Sequence, residues 1–325
     1  MTVDVLCLRP RADFQRIGVE APSHLRVEYR ESSDPTLHDQ MLATSVLLIP
    51  AVGPKLSPAL FEGSRLKLIQ VTGSGVDRVD EGIAVKLGIP VCNVTGGSNS
   101  AVAEYAVTAA GTLLRRLSWS DDEIRSGNYA SFRARMIAEN VGGLEGLTVG
   151  IVGFGTIGAA VAEAFARADC RIVYYDPAQE RSVAAERLDA KRMPLETLLT
   201  SSDVVSLHVP LLPTTRSLIG KRELSAMKQG AVLLQVSRGG VVDEAALAEA
   251  LQSGHLGGAA VDVYSSEPPT SENPLLHVAG DAAHRLLLTP HIAGVTRQSW
   301  AFIFRSAWQN IERVLAGEPP TNQVY

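Results

Sequence analysis

The sequence contains few cysteines, and they are far apart. Cys7, Cys92 and Cys170 are the three cysteines in 325 residues. Their spacing matches neither a metal site nor a redox pair, and each lies in or beside an apolar run. We therefore expect buried thiols without disulfides, which indicates a reducing compartment, with the cytoplasm as the default location.

Basic residues are not in excess either, and long apolar runs are missing. The formal net charge is −5, so no electropositive surface for nucleic acid or an anionic membrane is expected. An anionic substrate would have to be held by local donors. No segment has the ~18 uninterrupted apolar residues of a membrane span. The N-terminal MTVDVLCLRP lacks the basic region and apolar core of a signal peptide.

Short apolar runs instead alternate with more polar stretches along the whole chain. The apolar share of 46% and the charged share of 20% suit a globular protein with one large or two medium domains. Strands are predicted at residues 3–8, 25–29, 46–49, 66–71, 89–92, 148–152, 172–175, 204–209, 231–236, 258–263 and 286–289. Helices are predicted at 37–42, 58–61, 82–86, 98–117, 119–126, 159–167, 192–200, 243–252 and 296–315, with short helical pieces in 214–227 and a loop over 129–146. This alternation predicts an α/β fold with parallel sheets.

Residues 148–176, TVGIVGFGTIGAAVAEAFARADCRIVYYD, have the pattern of one βαβ unit. Gly153, Gly155 and Gly158 follow the first apolar run with G-x-G-x-x-G spacing, and Asp176 ends the second run. The glycines allow a tight turn, close approach of a pyrophosphate and close helix–strand packing. The helix N-terminus favours an anion, and the acid is placed to bond a ribose hydroxyl. A glycine-rich structural turn is the alternative, but the correct flanks favour dinucleotide binding.

The position of this unit predicts the domain organisation. About 145 residues precede it, so a nucleotide-binding domain at 99–296 would be inserted into a smaller domain made of 1–98 and 297–325. The substrate site would then lie in a cleft between the domains.

Three polar side chains follow predicted strands of the second half. Arg238, Glu267 and His291 would all emerge at the carboxyl edge of one sheet. Histidine can exchange a hydroxyl proton near neutral pH, a carboxylate can orient it, and arginine can hold a carboxylate by a bidentate pair. Taken singly, each is more often a surface, turn or strand-end residue.

The loop TGSGVD, residues 72–77, follows a strand of the first region. Its glycines could turn backbone N–H groups towards an anion. From this loop alone an ordinary strand-to-helix turn is the more common interpretation.

The segments TGSGVD, SNSAVAEYAV, GIVGFGTIG, SLHVPLLPTT, QVSRGGVVDEAAL, GAAVDVYSSEPP and TPHIAG together resemble the D-isomer-specific 2-hydroxyacid dehydrogenases. That family includes phosphoglycerate, glyoxylate/hydroxypyruvate, D-lactate, formate and phosphite dehydrogenases. The similarity covers about residues 70–325. It implies a doubly wound Rossmann domain inserted into a smaller flavodoxin-like domain, an NAD-dependent hydride transfer at C2 of a 2-hydroxy or 2-keto acid, and a homodimer.

The resemblance also implies residue roles. Arg238 would bind the substrate carboxylate, His291 would be the acid/base, and Glu267 its partner. The loop Ser74, Gly75 and Val76 would also bind the carboxylate, which reverses the interpretation from the loop alone. Asp176 would select NAD over NADP, because it repels a 2′-phosphate. The remaining cofactor positions are those under the pyrophosphate and around the ribose and nicotinamide, namely Thr156, Ile157, Val209, Val236, Asp262 and Gly294.

The sequence departs from the family pattern in two places. Between Glu267 and His291 lie 23 residues, a longer segment than expected, which we interpret as a surface loop. Phosphoglycerate-oxidising relatives often have a basic residue just before the TGSGVD-like loop, where this chain has Val71 and Thr72. D-3-phosphoglycerate dehydrogenase therefore remains an alternative activity rather than the first choice.

An NAD-sensing corepressor-like regulator is the alternative from a different functional class, since such proteins can keep all three of Arg238, Glu267 and His291. A panel of 2-keto acids would separate the two. A short-chain dehydrogenase is disfavoured, because no tyrosine is followed four residues later by lysine. No metal site is expected.

Overall fold

The computed structural model describes residues 3–178 and 183–325. They divide into two compact units, Met1–Ser98 with Val295–Tyr325, and Asn99–Gly294. Each unit is built on a parallel β-sheet with helices, so the predicted α/β class is confirmed. Within the described ranges no helix is long and apolar enough to cross a membrane.

The sheet of the first unit has a flavodoxin-like strand order. Its described strands are β1 (Val3–Cys7), β2 (Val27–Tyr29), β3 (Thr44–Pro50), β4 (Leu68–Thr72) and β5 (Val91–Cys92). They pair in parallel in the order β2-β1-β3-β4-β5. The helices are α1 (Arg11–Ile17), α2 (Leu37–Leu42), α3 (Glu81–Leu87) and the C-terminal α12 (Arg297–Leu315), with a 3₁₀ turn at Pro58–Phe61.

Helix α12 supplies much of the core on one side of this sheet. Phe304 and Trp308 are buried against Phe14 of α1, with ring centroids 4.5 and 5.5 Å from the Phe14 ring. Asn310 is also buried, and its Nδ2 donates to Gln70 Oε1 of β4 at 2.6 Å. Phe304 and Trp308 are therefore packing residues, as their helical spacing predicts.

The second unit has the strand order of a Rossmann fold. Its described strands are β6 (Thr148–Val152), β7 (Arg171–Tyr175), β8 (Lys191–Arg192), β9 (Val204–Leu207), β10 (Val232–Gln235), β11 (Gly258–Val261) and β12 (Leu286–Leu288). They form one parallel sheet in the order β12-β11-β10-β9-β6-β7-β8. The order reverses between β6 and β9, and ligands bind at such switch points. The doubly wound sheet predicted from the glycine unit is confirmed.

Eight helices surround this sheet in the described part of the unit. They are α4 (Asn99–Leu114), α5 (Leu117–Arg125), α6 (Tyr129–Ala138), α7 (Thr156–Ala166), α8 (Val183–Arg187), α9 (Leu195–Ser201), α10 (Lys221–Ala226) and α11 (Glu244–Gln252). Short 3₁₀ helices lie at Pro274–His277 and Gly280–Arg285.

Two local predictions are corrected. The loop predicted over residues 129–146 is wrong in its first part, because α6 forms there. Phe132 of α6 is buried against Trp119 with ring centroids 5.4 Å apart, so packing stabilises a helix with weak periodicity. The segment between Glu267 and His291 is not simply a surface loop, since Leu275 and Ala282 are buried in the core of the unit.

The turn after β6 requires glycine at two positions. Gly153 has φ of +90°, and a Cβ there would lie 2.6 Å from the His208 carbonyl oxygen. A Cβ on Gly158 would lie 2.1 Å from the Gly153 carbonyl oxygen. The first turn of α7 therefore packs directly on the strand-to-helix turn.

A pair of glycine-to-alanine variants tests this close packing. We expect Gly158→Ala to lower the free energy of unfolding by about 1–3 kcal/mol, because the methyl group forces the turn apart. Gly111→Ala in α4 is the matched control, since its methyl group meets no atom within 4 Å. It should stabilise by about 0.5–1 kcal/mol through helix propensity. Urea denaturation measures both, and equal midpoints for Gly158→Ala and the wild type would contradict the packing.

Candidate active site

The predicted residues of the second unit lie along the carboxyl edge of its sheet. Gly153 directly follows β6, Asp176 follows β7, Val236 follows β10 and Asp262 follows β11. His291 lies three residues beyond the end of β12. Parallel pairing brings these positions to one edge of the sheet.

The N-terminus of α7 fits a pyrophosphate. Gly155 is its N-cap residue, no side chain caps the helix, and a Cβ on Gly155 would meet nothing within 4 Å. Gly155 and Thr156 are exposed, whereas Gly158 is buried. The N–H groups of a first helical turn lack acceptors within the helix, so this open end suits an anion.

Asp176, which the sequence predicts to bond a ribose, braces the glycine turn. Its Oδ2 accepts from Phe154 N at 2.8 Å and its Oδ1 accepts from Ala178 N at 2.9 Å. Arg192 donates to the main-chain oxygen of Asp176 at 2.8 Å. The sequence predicted only the ribose contact, and the bond to the turn depends on the fold.

The apolar cofactor positions border the same edge. Val209 is buried beside the turn, since a Cβ on Gly153 would lie 2.9 Å from its Cγ1. Ile157 and Val236 are half-buried and pack on one core cluster. Gly294 is half-buried at the end of the unit.

His291 and Glu267 form a direct hydrogen bond. His291 Nδ1 lies 2.7 Å from Glu267 Oε2, and the two side chains are 28% and 26% exposed. Glu267 Oε1 accepts from Tyr264 N at 3.1 Å, so both carboxylate oxygens are fixed. The longer segment between the two residues does not separate them. Among the described residues, none bonds His291 Nε2, which leaves that nitrogen for a ligand.

The electrostatics of the pair favour an ionised carboxylate. Burial alone would raise the pKa of Glu267, but the hydrogen bond and charge of His291 lower it, helped by Tyr264 N–H and the charge of Arg238. The net effect is a pKa below the usual range for glutamate.

The loop that carries Arg238 packs against the loop that carries Glu267. A Cβ on Gly239 would lie 1.7 Å from the Tyr264 carbonyl oxygen. Gln235 Nε2 donates to the Arg238 carbonyl oxygen at 2.9 Å, and Arg238 Nη1 donates to the Ser237 carbonyl oxygen at 2.7 Å. The structure thus brings Arg238, Glu267 and His291 to one place.

The loop of Ser74, Gly75 and Val76 belongs to the first unit, just after β4. All three residues are half-buried. Asn93 Nδ2 donates to the Ser74 carbonyl oxygen at 2.8 Å, which fixes the orientation of the following peptide. Within residues 3–178 and 183–325, no group of three or more metal-ligating side chains occurs.

Sequence reasoning missed the polar residues that support the loops. Tyr105 of α4 bonds Thr289, and Thr289 donates to Asp262. Glu244 accepts from Ser265 N at 2.7 Å and from Asn273 Nδ2 at 2.8 Å. The sequence shows only hydroxyl and carboxylate groups among apolar residues, and this pattern does not indicate which residue each group bonds.

Comparisons with known proteins agree with this geometry. Residues 107–293 match the family model described as D-isomer specific 2-hydroxyacid dehydrogenase, NAD binding domain. Glycerate dehydrogenase of Methylorubrum extorquens is 31% identical over 298 residues, which covers 91% of each chain. D-3-phosphoglycerate dehydrogenase of Archaeoglobus fulgidus is 36% identical over 80% of this chain, but the match spans only 47% of that longer relative.

A solved structure extends the similarity to nearly the whole fold. D-lactate dehydrogenase of Aquifex aeolicus, complexed with NAD and lactic acid, superposes with a TM-score of 0.83 at 25% identity, over 97% of this chain and 96% of that one. The chain therefore belongs to the family of D-isomer-specific 2-hydroxyacid dehydrogenases, which are NAD-dependent oxidoreductases.

Proposed function

We propose that this enzyme interconverts a short D-2-hydroxy acid and its 2-keto acid, with His291 as the acid/base. The observation that carries the proposal is the 2.7 Å bond between His291 Nδ1 and Glu267 Oε2, close to Arg238 at the carboxyl edge of the NAD-binding sheet. NAD, when bound, supplies the hydride acceptor or donor at C4 of its nicotinamide.

The proton moves through His291 Nε2. In oxidation, neutral His291 accepts the proton of the substrate hydroxyl group while Glu267 stabilises the resulting imidazolium. In reduction, the imidazolium returns that proton to the oxygen at C2. Arg238 holds the substrate carboxylate by a bidentate pair and keeps C2 in reach of the histidine. The backbone of Ser74, Gly75 and Val76 is a second carboxylate-binding element.

The cofactor roles follow the resemblance. The turn and first helical residues that would hold the pyrophosphate are Gly153, Gly155, Thr156, Ile157 and Gly158. Asp176 binds the adenosine ribose and disfavours NADP. The positions assigned to the ribose and nicotinamide side are Val209, Val236, Asp262 and Gly294.

Glyoxylate and hydroxypyruvate are the proposed substrates. The similarity to glycerate dehydrogenase of Methylorubrum extorquens supports a small 2-hydroxy acid. D-3-Phosphoglycerate is disfavoured, because Val71 and Thr72, just before the substrate loop, are buried and uncharged.

We also propose a cytoplasmic homodimer. Exposed apolar side chains on α5 and α6 offer a surface for a second copy, namely Leu117, Ile124, Tyr129 and Ile137. The three buried cysteines are free thiols, as expected in a reducing compartment.

Replacing His291 tests the central role. We expect His291→Ala to abolish detectable NADH oxidation with glyoxylate, hydroxypyruvate and pyruvate, because the proton donor is lost. The dissociation constant for NADH should stay within about twofold of wild type, since the interaction removed acts in the transition state. His24→Ala, at an exposed position of the first unit, is the control and should retain full activity. Substantial turnover by His291→Ala would overturn the assignment, and no turnover by the wild type would favour the regulator.

The charge of Glu267 should set the pH dependence. Glu267→Gln keeps an acceptor for His291 Nδ1–H but removes the negative charge, which disfavours the imidazolium. Because the wild-type carboxyl has a lowered pKa, its charge persists throughout the neutral range. Reduction needs the imidazolium, so the basic limb of its kcat/KM profile should move to lower pH in the variant. The acidic limb of the oxidation profile should move the same way. Superimposable profiles would contradict the charge role.

Cofactor choice should depend on Asp176. We expect Asp176→Ser to raise the ratio of kcat/KM for NADPH over NADH by about tenfold or more. Removing a repulsion of about 1.4 kcal/mol between the carboxylate and the 2′-phosphate would change this ratio tenfold. Arg192, which contacts the main chain of Asp176, would then lie beside a neutral side chain at position 176. An unchanged ratio would show that another residue sets cofactor preference.

A further inference from the structure

We propose that Asp262, Thr289 and Tyr105 form a positioning network that holds the main chain of His291 in its reactive orientation. Neither the sequence pattern nor the pairing of His291 with Glu267 identified these residues as supports of the histidine. This inference rests on the proposed function, because it assigns the network to the reaction of His291.

Asp262 collects three successive main-chain N–H groups of the histidine loop. His291 N donates to the Asp262 carbonyl oxygen at 2.8 Å. Ile292 N donates to Oδ1 and Ala293 N donates to Oδ2, each at 2.8 Å. One residue at the end of β11 thus binds the loop that follows β12.

This convergence imposes an unfavourable backbone conformation on His291. Its φ is +56°, in the left-handed region that residues with a Cβ rarely adopt. Such conformations persist when surrounding bonds determine them. The three bonds to Asp262 determine it here, and the direction of the imidazole follows from the backbone.

Two hydroxyl groups hold Asp262 in turn. Thr289 Oγ1 donates to Asp262 Oδ1 at 2.6 Å, and Tyr105 Oη lies 2.6 Å from Thr289 Oγ1. Since threonine has a single hydroxyl proton and gives it to the carboxylate, the Tyr105 hydroxyl is the donor to Thr289. Hydrogen bonds therefore connect Tyr105 of α4, Thr289 just after β12 and Asp262 just after β11 to the loop of His291.

Asp262 is the buried member of the network and accepts its bonds as an ionised carboxylate. Asp262 is 1% exposed. Burial raises its pKa, whereas the Thr289 hydroxyl, the two loop N–H groups and the charge of His291 oppose that rise. Both carboxylate oxygens already accept from protein donors, so Asp262 supports His291 beside the cofactor contact assigned to it above. The resemblance alone would make it a contact of the cofactor.

Four variants separate these two roles. Thr289→Val removes the hydroxyl at nearly constant volume, and Thr289→Ser restores it. Tyr105→Phe removes only the outermost donor. Asp262→Asn keeps one acceptor oxygen but places an NH₂ group against a donor. Tyr29→Phe, which removes a hydroxyl from the first unit, is the matched control.

Turnover and NADH binding are measured for every variant. We expect Thr289→Val and Asp262→Asn to lower kcat about ten- to hundredfold, because a misplaced catalytic group costs rate steeply. Tyr105→Phe should lower kcat about three- to tenfold, as for one lost hydrogen bond. For Thr289→Val and Tyr105→Phe, the dissociation constant for NADH should stay within about twofold of wild type. Thr289→Ser and Tyr29→Phe should behave like the wild type.

Amide hydrogen exchange provides a readout that needs no turnover. Exchange at Ile292 and Ala293 should quicken in Thr289→Val and Asp262→Asn but not in Thr289→Ser. Unchanged exchange or unchanged kcat would overturn the network, and a weakened NADH affinity that accounts for the lost rate would make Asp262 a direct cofactor ligand instead. Absence of wild-type turnover on every 2-keto acid would refute the proposed function separately, since the exchange experiment does not depend on it.

Discussion

Parallel strand pairing is the constraint on which the second unit depends. The described strands of its sheet all run in the same direction. Each connection must therefore cross back over a face, and these strands all end at the same edge. Residues as distant in the chain as Gly153 and His291 consequently share one edge. The side chains of the central strands β9, β10 and β11 are buried, which leaves the chemistry to residues beyond the strand ends.

The acidic residues in the loops beyond the strands make many of their hydrogen bonds to the protein itself. Asp176 holds the N–H of Phe154, Glu267 holds the N–H of Tyr264, and Asp262 holds the histidine loop. A loop at a sheet edge has backbone donors that no ladder satisfies, and a carboxylate is a strong acceptor for them. The side chains to which we assign contacts with ligands therefore also fix the loops that carry the site.

The sequence predicted the fold and the pair His291–Glu267 well, and the supports poorly. Glycine spacing and apolar runs are local signals, so β6, α7 and β7 could be located from residues 148–176 alone. Helix α6 was missed because its stability depends on Phe132 meeting Trp119 rather than on its own periodicity. Helix α1 was missed although Pro10 and Gly18 flank it. Tyr105 and Thr289 are 184 residues apart, and nothing in either local sequence indicates the other.

The return of α12 to the first unit has a consequence for synthesis on the ribosome. Phe14 and the sheet around it are made early, but Phe304 and Trp308, which cover them, are made after the whole of Asn99–Gly294. At typical elongation rates the delay is roughly ten to forty seconds. By the end of that interval the last strand of the second unit, β12, has been made, while the nascent first unit still exposes the apolar surface that α12 covers. The inserted unit can therefore complete its core before the unit that begins the chain.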